Sequence, residues 1–368
     1  MNLRNKLAKY YINLRGWKTK RKIVVIESDD WGSIRMASPE IFNSLKRKGY
    51  PVDKHKFTSL DGLESKEDLE VLFKVLRNHK DKNGKHPVIT ACALVANPNF
   101  EKIASSGFKE YHFETIDKTY QSYGESELLE FWKEKGIKEN LLYPQFHGRE
   151  HLNPRKWLSV LKDGVQMEMD AFNEKVLLGL SGSASLKERN YMAAFEHTSE
   201  EHKEEIKQTA IEGLTIFEQL FGFKSISFMP SQSIQFEELN ETLVNQGVLF
   251  NQGGQYFKPN KEGAFKKVNK FWGDVDEYGM KYWRRNCLFE PYKGKSNPVN
   301  SCLEEIEIAF KCGKPAVISS HRINYTSRMD ENHRNQSLVL LDDLLSKIIK
   351  NNPDVEFMNS EQLAKTIR

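Results

Sequence analysis

"KIVVIESDDWG", residues 22–32, sets a run of apolar and β-branched side chains directly before two adjacent carboxylates and a glycine. A short apolar run without polar alternation is how a strand buried on both faces reads. Such strands belong to parallel sheets covered by helices. The same kind of run recurs. "PVITACALVA" (87–96), "LLYPQF" (141–146), "VQMEMDAF" (165–172), "SISFMPS" (225–231), "VLFNQ" (248–252), "PAVISSH" (315–321) and "VEFM" (355–358) are all expected to be strands. Between them, amphipathic stretches predict helices through 65–80, 200–222, 300–313 and 335–352. Strands alternating with helices describe an α/β fold with crossover helices, and no Gly/Ser-rich linker or internal repeat divides the chain.

In such folds chemistry collects where the strands end on the carboxyl side of the sheet. Four expected strands end in reactive or turn-forming residues: Asp29 and Asp30 after the first, His147 and His151 in "YPQFHGREHLNP" (143–154), Pro230 in "FMPSQ", and His321 in "SSHRI". His147 to His151 spells H-x-x-E-H, a protease zinc signature that needs one continuous helix. Pro144, Gly148 and Asn153-Pro154 disfavour that helix and predict a strand feeding a turn. Two imidazoles leave a catalytic metal short of a third protein ligand, for which a carboxylate is the usual supplement. Asp29 and Asp30 offer the pair from which it would come.

This arrangement resembles the polysaccharide deacetylases of the NodB-homology type, carbohydrate esterase family 4. "SDDWG" is similar to that family's first motif, "HGREH" to its second and "SSHRI" to its last, in the family's chain order, and "VEFMNSEQL" (355–363) to its closing strand and helix. The resemblance implies a distorted (β/α)7-type barrel of mainly parallel strands. It further implies metal ligation by Asp30, His147 and His151, with Asp29 as general base and His321 as general acid. Trp31, Arg149, Pro230 and Arg322 are then expected to contact substrate. A divalent metal is implied, Zn²⁺ first with Co²⁺ or Ni²⁺ as alternatives, and an acetylated carbohydrate is the implied substrate. The chain departs from the family in two places. Phe228 stands two residues before Pro230 where the family has the arginine that orients the base, and Gly148 follows the first histidine where Ser or Thr is usual. Asp274 and Asp276 resemble the acidic fourth motif loosely, and Arg149, Arg284 and Arg285 are the candidates to replace the arginine. A glycoside hydrolase on the same barrel and a non-catalytic carbohydrate-binding barrel are the competing functions, the latter resting on Phe228.

Composition narrows the class further. The 368 residues are 39% hydrophobic, enough for one large core. Formal net charge is +4, yet residues 1–22 hold eight basic side chains and no acid, and the remainder carries 47 basic against 51 acidic residues. No nucleic-acid partner is expected of such a body. The expected organisation is a basic helix over 1–21 and a single barrel domain over 22–368. Residues 1–22 lack the apolar run of a secretory signal and are not expected to act as one. Leu3, Leu7, Tyr10, Leu14 and Trp17 recur at helical spacing opposite the basic residues. A helix packed under the domain is the favoured reading of that stripe, and peripheral contact with an anionic membrane is the other. Cys92, Cys287, Cys302 and Cys312 form no C-x-x-C pair, so reduced thiols and a cytoplasmic, in part membrane-associated, location are expected.

Overall fold

The computed structural model describes residues 3–179, 191–259, 265–294 and 297–367. Thirteen strands are described: β1 Ile23–Trp31, β2 Ile89–Leu94, β3 Ala96–Pro98, β4 Phe113–Thr115, β5 Leu142–Gly148, β6 Ser227–Phe228, β7 Phe250–Asn251, β8 Gln255–Pro259, β9 Phe265–Asn269, β10 Lys281–Tyr282, β11 Cys287–Leu288, β12 Ala316–His321 and β13 Glu356–Phe357. Nine of them form one sheet in the order β10-β7-β6-β5-β2-β1-β12-β11, with β13 pairing the amino end of β1. Every pairing within this sheet is parallel. β3 with β4 and β8 with β9 form two small antiparallel ribbons.

Chain connectivity shows that this sheet is curled. Its two edge strands, β10 and β11, are joined by residues 283–286 alone. Laid flat, eight strands would separate those edges by roughly 34 Å at about 4.8 Å per strand. Five Cα steps reach at most roughly 18 Å. The sheet must therefore wrap into a distorted barrel whose open seam is spanned by Trp283–Asn286 rather than by strand pairing.

Alternation along β1 sorts its side chains into two environments. Val24 and Ile26 face the surrounding helices, in the same core as Leu69, Leu72, Phe73, Leu341 and Leu345. Ile23 and Val25 face the interior and pack with Val317, Phe250, Trp272 and Trp283, which plug the lower barrel. Glu27 and Asp29 continue the inward row toward the carboxyl end. The helices Lys66–Arg77, Glu200–Phe221, Pro298–Lys311 and Glu331–Asn351 match the periodic stretches, the first capped by a reciprocal Ser65–Asp68 box.

One element differs in kind. Residues 165–172 are not a strand but lead into the helix Gln166–Asn173. Glu168, Ala171 and Phe172 are its buried positions, a spacing of three and four that outweighs the apparent alternation of the sequence. The basic segment forms the helix Leu3–Leu14, which is held against the body from one side. Lys9 pairs with Glu305 at 2.9 Å, Asn286 donates to Asn13 at 2.7 Å, and Trp17 N–H donates to the Trp272 carbonyl at 2.7 Å.

Candidate metal centre

Two backbone irregularities build the site. Between Ser28 and Trp31 the β1–β2 register shifts, and Asp30 within the shift has φ 75°, an uncommon conformation for a residue with a side chain. Strict alternation would send Asp30 outward. The bulge turns it so that Asp29 and Asp30 line the same cavity. On β5 the register also shifts, with Ala93 opposite Phe146 and Leu94 opposite Gly148, leaving His147 as the extra residue. Gly148 follows at φ 146°, which a Ser or Thr would enter only with strain, so the departure from the family pattern has a backbone cause. The chain then bends through His151 before Asn153 caps the helix Pro154–Lys162. His147 and His151 are therefore not on one helix, and the protease geometry is excluded.

His147 Nε2 lies 3.5 Å, and His151 Nε2 3.4 Å, from the same Asp30 oxygen. Ligand atoms of the three residues lie within 4.8 Å of one another, and all three side chains are buried. His147 Nδ1 is 2.7 Å from the Met229 carbonyl, which can only accept, so Nδ1 carries the hydrogen. In the neutral ring Nε2 is then an acceptor, buried without a hydrogen-bond partner and facing a carboxylate oxygen that is also an acceptor. A cation between them satisfies all three groups. The Nδ1–H···O=C bond is also the support that metal-binding histidines ordinarily have. Burial pulls His151 down to about 3 despite Asp30, keeping it neutral as a ligand must be. Burial alone would raise Asp30, but His151, His147 and Arg35 hold it well below the ordinary carboxylate range.

Beside this triad stand two charge-paired groups. Arg285, from the segment that spans the barrel seam, grips Asp29 with Nη1 at 2.5 Å and Nη2 at 2.8 Å, while its Nε donates to Glu27 at 2.6 Å. Burial pushes the Asp29 carboxyl up, but Arg285, then His147, outweigh it and leave Asp29 ionised below its usual range. Of the three candidate arginines, Arg285 is the one that contacts Asp29. Phe228 is fully buried against Phe146 and Phe195. Arg284 points elsewhere, donating to the Lys270 carbonyl. His321 Nδ1 meets Glu290 at 2.5 Å, and its Nε2 lies 3.8 Å from Asp29. Burial lowers the imidazole, but Glu290, together with Asp29 and Asp30, outweighs it and raises the value to about 9. Asp274 and Asp276 play no part here: Asp276 bonds Asn240 and Tyr282, and Asp274 closes a local turn.

The cavity, about 330 Å³, is lined by Asp29, Asp30, His147, His151, Arg285 and His321. Pro230 lines it too, and Arg35, His55 and Phe57 join it unforeseen. Trp31, Arg149 and Arg322 do not reach it. Trp31 is fully buried on the helix side, stacked on Tyr325 and edge-on to Trp132. Arg149 turns to the far side of its loop, where Glu150 and Glu212 hold it at 2.6 Å over the Phe113 ring. Arg322, fully buried, is fixed by Asp61, Glu64 and the Ser33 carbonyl. Trp31 and Arg322 each directly follow a site residue, and alternation places them on the opposite face. Arg149, two residues from both histidines, lies beyond the bulge and the end of β5, where alternation no longer holds.

Because Arg285 bridges the buried carboxyl groups of Glu27 and Asp29, Arg285→Met is expected to cost about 3–5 kcal/mol of unfolding free energy, the penalty for stranding buried charge. Urea melts would show it; a loss below 1 kcal/mol would mean that Glu27 or Asp29 is not ionised.

No protein-family model matches the chain, and no curated protein matches it. Its structure is similar to that of a protein described as a polysaccharide deacetylase from Mycobacterium smegmatis, at 11% identity over 96% of this chain and 93% of that one, with a TM-score of 0.45. It is similar to PuuE allantoinase at 11% identity over 95% and 91% of the two chains, TM-score 0.45. It is also similar to a mutant of BA3943, a pseudoenzyme of carbohydrate esterase family 4, at 12% identity over 93% and 67%, TM-score 0.37.

Proposed function

We propose that the protein is a metal-dependent hydrolase that removes acetyl groups, from nitrogen or oxygen, of a carbohydrate. What supports this is the convergence in one cavity of the Asp30–His147–His151 cluster with Asp29 held by Arg285 and His321 held by Glu290. Motif order in the sequence supports the carbohydrate. Two imidazoles and a carboxylate suit Zn²⁺ and admit Co²⁺ or Ni²⁺. Such an ion, when bound, supplies Lewis acidity toward a carbonyl oxygen and lowers the pKa of a water.

The remaining work belongs to side chains. Asp29, ionised and fixed through both oxygens, takes the proton of the attacking water. His321 keeps a proton at neutral pH and delivers it to the departing nitrogen or oxygen, so the acyl bond breaks without expelling an anion. Arg35 lines the cavity with its Nη2 3.8 Å from Asp30, its Nε 3.6 Å from Asp61 and its Nη1 3.5 Å from the Met192 sulfur, which sets a cation beside the place a substrate oxygen would take. The missing motif arginine at Phe228 favours a non-catalytic reading, and the Arg285–Asp29 pair weighs against it.

Incubation of the metal-loaded protein with a panel of N-acetyl and O-acetyl glycans is expected to release acetate without shortening the chains. New reducing ends without acetate would support a glycosidase instead, and silence across the panel with metal bound would sink the proposal. His321 acts as an acid only while protonated, so activity should persist below its value of about 9 and fall as pH rises through it. Glu290→Gln removes the foremost of the groups that raise that value, while Asp29 and Asp30 remain and burial still lowers it, so the alkaline limb should move toward neutral pH. An unmoved limb in the pH profile would take the acid role away from His321.

A further inference from the structure

We propose that the outward face of the helix Leu3–Leu14 docks the protein on an anionic lipid surface. Among the described residues seven large hydrophobic side chains are exposed, and three of them lie on this helix: Leu7 at 61%, Tyr11 at 53% and Leu14 at 56%. At about 100° per residue these positions fall within roughly 60° of one another, so they form a single stripe. The opposite face is already occupied. Asn13 is fully buried against Asn286, and Lys9 is tied to Glu305 and to the Asn286 carbonyl. The helix is therefore seated on the body with its apolar stripe turned outward, where a packing role leaves it unexplained.

Charge around the stripe selects the occupant. Arg21 and Lys22 are taken up by Glu356 and Asp354. Lys6, Arg15, Lys18 and Lys20 are exposed and form no ion pair among the described residues. Arg15 spreads over the rings of Tyr11 and Phe271 at 4.8 and 5.2 Å, which brings its charge to the edge of the stripe. Apolar side chains bordered by free cations on a surface helix match the headgroup boundary of an anionic bilayer, where the first enter the acyl region and the second meet lipid phosphates and carboxylates. A nucleic acid would offer nothing to Leu7 and Leu14 and would meet a body in which acids outnumber bases. The contact also sets an orientation. The segment after the helix runs under the amino ends of the strands, with Thr19 N–H donating to the Gly313 carbonyl and Lys314 Nζ to the Gly16 carbonyl. The candidate metal cavity lies at the carboxyl ends, so a protein docked through this helix keeps the cavity open to the aqueous side.

Flotation of the full chain with vesicles tests the proposal. With phosphatidylcholine vesicles containing one third phosphatidylserine, the protein should float at 100 mM NaCl and be released at 500 mM, and it should not float with pure phosphatidylcholine. Each free cation should contribute about fivefold to partitioning. Leu7→Glu/Leu14→Glu should lower it by about a hundredfold or more, with the thermal melt unchanged because both side chains are already exposed. Lys18→Glu/Lys20→Glu leaves the helix intact and should weaken flotation together with its salt dependence. Absence of flotation by the wild type, or equal flotation by both variants, overturns the proposal. So does a wild-type dimer that the leucine variant converts to monomer without any vesicle binding, which would assign the stripe to a second copy of the chain.

Discussion

His151→Ala is expected to abolish stoichiometric metal, against one divalent ion per chain in the wild type purified with Zn²⁺ present. His151 contributes one of three converging donors, and its neutral ring is maintained by burial rather than by any hydrogen bond that alanine would disrupt. Perturbing the partners behind a ligand already costs 10–100-fold in affinity, so removing the ligand should exceed a hundredfold. The same ion stabilises only the folded state. At a free concentration about 1,000 times Kd it adds about 4 kcal/mol to the wild type, and that increment should vanish in the variant. His202→Ala provides the control. That histidine is buried too, where the charged sequence around it predicts solvation, but it bonds Thr198 outside the metal cavity. Elemental analysis decides the matter: equal metal in wild type and His151→Ala would remove the site, whereas loss in His202→Ala as well would point to general unfolding.

How far the sequence discloses this site depends on the length of the elements that carry it. β1 and β12 run nine and six residues, long enough for their apolar runs and terminal acids or histidine to be read directly. β10 and β11 have two residues each. No periodicity can form over two residues, so the sequence offers Arg285 only as one of three candidate arginines and Glu290 as an ordinary surface charge until the barrel seam brings them to Asp29 and His321. The bulges at Asp30 and His147 are equally silent, since a register shift is a relation between strands rather than a pattern within one. Side-chain direction was the other failure. Trp31 and Arg322 adjoin site residues, and adjacency in an extended chain means the opposite face. Arg149 sits between the two histidines but past the bulge and the end of β5, so its direction follows no alternation. Gly148 is the one local residue that marks such an irregularity, and only in retrospect does its φ of 146° explain it.

Asp29→Asn separates chemistry from assembly more cleanly than any other substitution here. The amide keeps the size of the carboxylate and leaves Asp30, His147 and His151 intact, so metal content should stay at one per chain. What it loses is the acceptor for the proton of the attacking water, and loss of general-base help ordinarily costs 10²–10⁴-fold in turnover, or roughly 3–5 kcal/mol in the barrier. KM should change far less, because Asp29 is held by Arg285 rather than free to bind substrate. The substitution also leaves Arg285 facing an amide with half the acceptor capacity, so some stability should be lost, though less than in Arg285→Met, where two carboxylates are stranded. That ordering matters for interpretation. A variant that melts a few degrees lower, keeps its metal and loses at least a hundredfold in acetate release places the base at Asp29. Full turnover in Asp29→Asn would mean that the proton leaves by another route and that the Asp29–Arg285 pair serves only to close the seam of the barrel.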